Sequence, residues 1–164
     1  ATAVMETLKL SVMILFIIAA SQTFSQILSF SGATGGLIRL IQGFDLSALW
    51  ILVGMILILL FLGCFIDQIS MLMVTIPVFI PLARTAGIDE LVLGVVYLLT
   101  MEIALLTPPF GLLLFVMQGV APPSIRMRQI YAAVTPFLLI KLFVLALVVA
   151  IPALGTWLPG QLGR

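Results

Sequence analysis

Histidine is missing from the sequence altogether, and cysteine occurs once, at Cys64. The first absence excludes zinc sites of the common type and imidazole-based acid–base catalysis. The second excludes internal disulfides and cysteine-based metal clusters. Charge is almost as scarce: seven basic and six acidic residues among 164, or 8%. A soluble domain carries about 25% charged residues because its surface faces water. With 63% hydrophobic residues and a mean hydropathy of +1.39, the solvent for most side chains must be lipid or other protein. The net charge of +1 comes with no basic run of the kind that grips phosphate, so nucleic acid is not an expected partner. A secretory signal peptide fits poorly too, because four more apolar stretches follow the first one. The start at Ala1, almost inside an apolar segment, reads as one part of a larger polypeptide.

What is present is a series of long apolar tracts, some of them interrupted. The first runs over Leu8–Phe30, enough to span a hydrocarbon core of ~30 Å. Its second half carries Ser21, Gln22, Thr23, Ser25 and Gln26, which at membrane depth favour a face turned to protein or a water-filled cavity, interhelical hydrogen bonding being the plainer reading. Residues 31–44, with Gly32, Gly35, Gly36, Gly43 and Arg39, read as a loop or a short interfacial helix. The tract from Leu46 to Leu82 is about 55 Å long as one helix, nearly twice what a bilayer needs. Gly63, Cys64, Asp67, Gln68 and Ser70 sit in its middle. Two short limbs, Ser47–Leu62 and Ile69–Leu82, therefore meet at a polar tip, and the span 46–85 reads as a re-entrant helical hairpin. Two tilted, complete spans joined by a tight turn form the competing reading. Pro77 and Pro81 in the second limb each remove a backbone donor and require neighbours to satisfy the freed carbonyls. Arg84, Gly87, Asp89 and Glu90 mark an aqueous turn.

The tract 91–118 contains Thr107-Pro108-Pro109 followed by Gly111. Adjacent prolines lack donors, and Pro109 pushes Pro108 out of the α region, so this span is expected as two half-helices, Leu91–Leu106 and Phe110–Gln118. Unwound backbone at that depth survives where it is buried in protein or lines a cavity. A proline kink without any ligand is the plainer alternative. Residues 119–129, with Pro122, Pro123, Arg126 and Arg128, read as an aqueous loop with a short amphipathic helix. The last span is expected over 131–158, with Tyr131 and Trp157 at its interfaces. Lys141 within it can snorkel or pair internally. Lys9, Arg126 and Arg128 balance Arg39, Arg84 and Arg164 on opposite sides, so the positive-inside count fixes no orientation.

A hairpin and a discontinuous helix placed in succession are components of substrate and ion sites in secondary transporters. Half-helix N-termini present unpaired N–H groups that suit a carboxylate, while unwound carbonyls can replace water around Na⁺. The fold class is thus all-α and polytopic, one half of an inverted-repeat transporter, and the candidate regions are Gly63–Ser70 and Leu106–Gly111. Within them Gly63, Asp67, Ser70, Thr107, Pro108, Pro109 and Gly111 are substrate or ion candidates, with Asp67, Ser70, Leu106 and Thr107 for Na⁺. Asp67 is equally well placed to cap the second limb. Glu102, an acid deep in an apolar tract, is expected to buttress the break, with an ion or proton site as the alternative.

Two strings resemble a known family. Gly63-Cys64-Phe65-Ile66-Asp67 leading to Ile76-Pro77-Val78-Phe79-Ile80-Pro81, and Glu102-Ile103-Ala104-Leu105-Leu106-Thr107-Pro108-Pro109-Phe110-Gly111, are similar to the second transport repeat of the large membrane subunit of TRAP (tripartite ATP-independent periplasmic) transporters. The Gly87-Ile88-Asp89 turn and the ending with Pro136-Phe137 and Pro152 are similar too. The resemblance implies a multi-pass protein of the bacterial inner membrane, with Na⁺ as coupling ion and no other cofactor. It implies organic acids as substrates: C4-dicarboxylates, sialic acids or keto acids. It also implies three partners: the N-terminal repeat of the same subunit, a small membrane subunit and a periplasmic substrate-binding protein. Its orientation would place Arg126 and Arg128 in the cytoplasm. Many members carry Asn two residues after the glycine of the break, where this sequence has Leu113, so that amide has no counterpart.

Other functions fit less well. An intramembrane enzyme needs a nucleophile with a base, or metal ligands, and two separated acids supply neither. A channel would show a repeated filter sequence. A non-transporting membrane scaffold predicts no ligand at the breaks, and a continuous, kinked helix through Thr107–Gly111 packed against lipid would favour it.

Overall fold

The computed structural model describes residues 2–107, 111–122 and 124–162. Within them the chain forms eight helices: α1 (Thr2–Phe30), α2 (Ala33–Gln42), α3 (Ala48–Gly63), α4 (Gln68–Thr85), α5 (Glu90–Leu106), α6 (Leu112–Val120), α7 (Met127–Ala150) and α8 (Ala153–Leu162). Among the described residues there is no strand, so the all-α, polytopic expectation holds. α1, α4 and α7 contain stretches long and apolar enough to cross a membrane.

α5 is the hub. It packs against α3, α4, α6, α7 and α8. Its buried residues Val92, Val96, Thr100 and Ile103 recur every three or four positions and so form one stripe. That stripe meets Leu52, Met55 and Leu59 of α3, Met71 and Phe79 of α4, and Leu145 and Val148 of α7 in one apolar cluster. α1 lies against α2 and α4, outside the core.

The connections have local causes. α4 ends in a Schellman turn: the Ile88 N–H donates to Ala83 O at 2.9 Å and the Gly87 N–H to Arg84 O at 3.2 Å, with Gly87 left-handed at φ 72°. The Asp89 carboxylate then caps α5 by accepting from Leu91 N at 2.7 Å. Arg84 and Glu90 pair across this turn at 2.5 Å.

Pro77 and Pro81 lie inside a continuous α4. Pro77 has no N–H for the carbonyl of Met73, four residues back. Ser21 of α1 supplies the missing donor: its Oγ donates to Met73 O at 2.6 Å. The polar residues of α1 thus do make an interhelical bond, although Thr23 bonds back to Ala19 O of its own helix at 3.1 Å. The Ser25 side chain lies outside the description.

Three boundaries differ from the sequence reading. The half-helix after the break starts at Leu112 and continues to Val120, and α7 already begins at Met127. Arg128 therefore stands in the first turn of α7, and among the described residues the connection holds no amphipathic helix of its own. The last span does not run to residue 158. It stops at Ala150, because Pro152 forces Ile151 out of the α region (φ −128°, ψ 79°), and α8 starts afresh at Ala153. Trp157 accordingly belongs to α8 rather than to the end of the span.

Candidate functional site

The tip between α3 and α4 consists of Cys64, Phe65, Ile66 and Asp67. α3 winds down through tightened bonds, with Cys64 N–H donating to Phe61 O at 3.3 Å and Phe65 N–H to Leu62 O at 2.9 Å. Asp67 is extended (φ −68°, ψ 161°) and starts α4 as its N-cap. Both its carboxylate oxygens are engaged by Ser70: the backbone N–H donates to Oδ2 at 3.0 Å and the hydroxyl to Oδ1 at 2.6 Å. The positive end of α4 is therefore already met by a carboxylate of this chain. The Ser70 hydroxyl, which donates here, still has its oxygen lone pairs.

Gly63 serves packing. A Cβ at this position would stand 2.3 Å from the Cβ of Ala104 and 3.5 Å from the Met71 side chain. The end of α3 thus touches the last turns of α5, closer than any larger residue permits.

At the second break α5 ends at Leu106 and Thr107 turns extended (φ −86°, ψ 131°), the region to which a following proline confines its neighbour. The Thr107 hydroxyl donates to Ile103 O at 2.7 Å, and its N–H donates to Ala104 O at 3.1 Å. Prolines at 108 and 109 carry no N–H for the carbonyls of Ala104 and Leu105 four residues earlier. Gly111 is left-handed (φ 47°, ψ 68°) and leads directly into α6. The helix is therefore discontinuous between Leu106 and Leu112. Pro108 and Pro109 themselves lie outside the described residues.

The two breaks meet. Cys64 Sγ lies 4.0 Å from Thr107 O across 43 residues of sequence, while its shorter contact is Leu60 O at 3.2 Å. Together with the Gly63–Ala104 contact, this sets the hairpin tip beside the unwound end of α5. Backbone carbonyls, the Thr107 and Ser70 hydroxyls and the Asp67 carboxylate are hard oxygen donors of the kind that replace a cation's water. Leu106 faces elsewhere, onto an apolar cavity of about 470 Å³ between α6 and α7 lined also by Leu114, Met117, Ile130 and Val134. Its side chain offers that cavity nothing polar.

Glu102 points away from the tip and pairs with Lys141 of α7, Oε1 to Nζ at 2.5 Å. The sequence reading left each of these residues without a named partner. The available signal was that each is the lone charge in its helical tract. Two further contacts escaped it: Ala104 opposite Gly63, and a buried hydrogen bond between Thr75 of α4 and Tyr97 of α5. Small and hydroxyl-bearing residues on apolar helices name no partner by themselves.

Long apolar helices, one of them broken at the level of a neighbouring helical hairpin, define a polytopic α-helical membrane protein built on discontinuous helices. Residues 1–154 match the family described as "Tripartite ATP-independent periplasmic transporter, DctM component". The chain belongs to that family, a family of transporters rather than enzymes, and is a multi-pass component of the inner membrane. It is 33% identical over 159 residues to the C4-dicarboxylate TRAP transporter large permease protein DctM of Pseudomonas aeruginosa, covering 97% of this chain and 37% of that protein. It is 38% identical over 103 residues to the sialic acid TRAP transporter large permease protein SiaM of Vibrio cholerae, covering 63% of this chain and 24% of the relative. A putative dicarboxylate transporter subunit of Paracoccus pantotrophus is 32% identical over 151 residues, 92% of this chain and 70% of that one. The chain spans about a third of the length of the full-sized C4-dicarboxylate relatives.

Proposed function

We propose that this chain forms one hairpin-and-break unit, the C-terminal repeat, of a sodium-coupled permease that imports organic acids delivered by a periplasmic binding protein. The observation that carries the proposal is the meeting of the two breaks, with Cys64 Sγ near Thr107 O and Gly63 against Ala104. Each break would be costly in a bilayer by itself, and together they bring carbonyl, hydroxyl and carboxylate oxygens into one neighbourhood. In this reading α3 and α4 are the limbs of a re-entrant hairpin. Thr107, Ser70, Asp67 and the last carbonyls of α5 hold Na⁺. An opposing repeat of the same subunit completes the site, a small membrane subunit accompanies it, and Arg126 and Arg128 face the cytoplasm. The substrate class follows the relatives, whose names specify C4-dicarboxylate and sialic acid. The discontinuity between Leu106 and Leu112 is not the continuous kinked helix that would have favoured a scaffold.

The test is uptake by the full subunit, reconstituted in proteoliposomes with its membrane and periplasmic partners. An inward sodium gradient should drive accumulation of a C4-dicarboxylate or sialic acid, and collapsing the gradient should abolish it. Uptake indifferent to sodium would remove the coupling. No uptake of any organic acid would return the chain to a scaffold role.

A further inference from the structure

Glu102 is the sole charged residue between Glu90 and Arg126, and Lys141 is the sole one between Arg128 and Arg164. Lys141 stands deep in its helix, about 14 Å from the nearer end of α7 at ~1.5 Å per residue, and Glu102 lies four residues before the end of α5. Unpaired, either charge would be costly at that depth. The bond between them, 2.5 Å from Nζ to Oε1, links α5 to α7.

The place of this bond matters more than its existence. Glu102 is four residues before Leu106, so the bond holds the last full turn of α5, the turn that ends in the unwound Thr107. α7 also packs against α6, the other half of the broken helix. One uninterrupted helix thus supports both sides of the gap. The hydrophobic effect itself is non-directional, so register is set by shape fit together with directional polar contacts. A charge-assisted hydrogen bond is directional and fixes one register. An ion pair contributes little net stability when half exposed, so its consequence here is the arrangement it selects.

We infer that the Glu102–Lys141 pair is a positioning device for the break, setting the register of the last turn of α5 on α7 and hence the spacing between the carbonyls at Ala104–Thr107 and the N-terminus of α6. Glu102 is not a cation ligand in this arrangement: the Lys141 ammonium occupies its carboxylate and repels a second cation. The effect on sodium rests on the functional reading above; the effect on backbone register does not.

Three variants of the full subunit test this, Glu102→Gln, Lys141→Met and the charge swap Glu102→Lys with Lys141→Glu, with two readouts. One is the sodium half-saturation of uptake in proteoliposomes, and the other is amide hydrogen exchange over 103–107. Each single variant should raise the sodium half-saturation on the order of tenfold, as small misplacements at a site do, and speed exchange over that segment. The swap should restore both. Single variants with unchanged half-saturation and exchange overturn the inference. So does a swap that recovers exchange protection but not sodium affinity, because Glu102 would then be a ligand. If the singles fail to fold, a swap that folds with normal sodium affinity sustains it, and one that also fails overturns it. Should the unsubstituted transporter prove indifferent to sodium, the functional reading falls, and the exchange measurement alone decides the positioning role.

Discussion

A methyl group added at Gly63 would sit 2.3 Å from Ala104 Cβ, well inside the closest approach of two carbons. The neighbour is itself a Cβ on a helix and cannot swing aside, so the relief must come from backbone movement. Gly63→Ala is expected to destabilise the protein by about 1–3 kcal/mol, the usual range for overpacking. Ala104→Gly in the same chain should recover most of that loss in thermal melts of detergent-solubilised protein. No recovery would mean that the contact does not set the distance between α3 and α5. Asp67 poses a different question, because one carboxylate can serve as cap and as ligand. Asn retains the capping oxygen and removes the charge, whereas Ala removes both. Asp67→Ala should cost about 1 kcal/mol of stability and Asp67→Asn only a few tenths. If Asp67 also contacts sodium, the Asn variant should still raise the sodium half-saturation of uptake. Normal sodium dependence in a stable Asp67→Asn variant would reduce the residue to a cap.

At the level of elements, proline decides most of the architecture, and it acts differently according to what stands nearby. Pro77 leaves α4 helical because Ser21 of another helix donates to the carbonyl that Pro77 frees. Pro152 pushes Ile151 out of the α region, and the helix ends there. Thr107 is driven extended before Pro108 in the same way. The α1–α4 contact gives a prediction with an internal control. Ser21→Ala leaves the Met73 carbonyl without that donor and should cost about 1–3 kcal/mol. Adding Pro77→Ala restores a backbone N–H at position 77, so the double variant should melt close to the parent. A Ser21→Ala protein that melts like the parent by itself would show that this bond contributes nothing.

Taken whole, the molecule is built from the inside of α5 outward and leaves much of its periphery apolar. Phe30 is 91% exposed, Phe16 74% and Phe143 66%, on helices that a bilayer or further protein would cover. α1 has no single polar face, since its polar residues are spread around it, so nothing in its pattern marks one side for lipid or protein. This uniformity explains which parts of the structure were legible beforehand. The tract Leu46–Leu82 was too long for one helix and carried Gly63 and Asp67 at its centre, so its division into α3 and α4 could be read directly. The Schellman turn at Gly87 and the break at Thr107 were legible for the same reason, since glycine and proline restrict or release the backbone locally. The extent of α7 was misjudged because apolarity continues through Pro152, and hydropathy is blind to a lost donor. The partners of Glu102, Gly63 and Ser21 were not legible at all, since an apolar helix carries no mark of the face it presents.

The sequence by itself therefore determined the solvent, the helical class and the positions of the breaks, because composition and backbone chemistry act residue by residue. Only the tertiary structure decided that the hairpin tip lies beside the unwound end of α5, and that Glu102 is held by Lys141. Those pairings join residues 39 and 43 apart in sequence. They depend on which ridges of one apolar helix fit the grooves of another, and this is settled by close packing among many side chains at once.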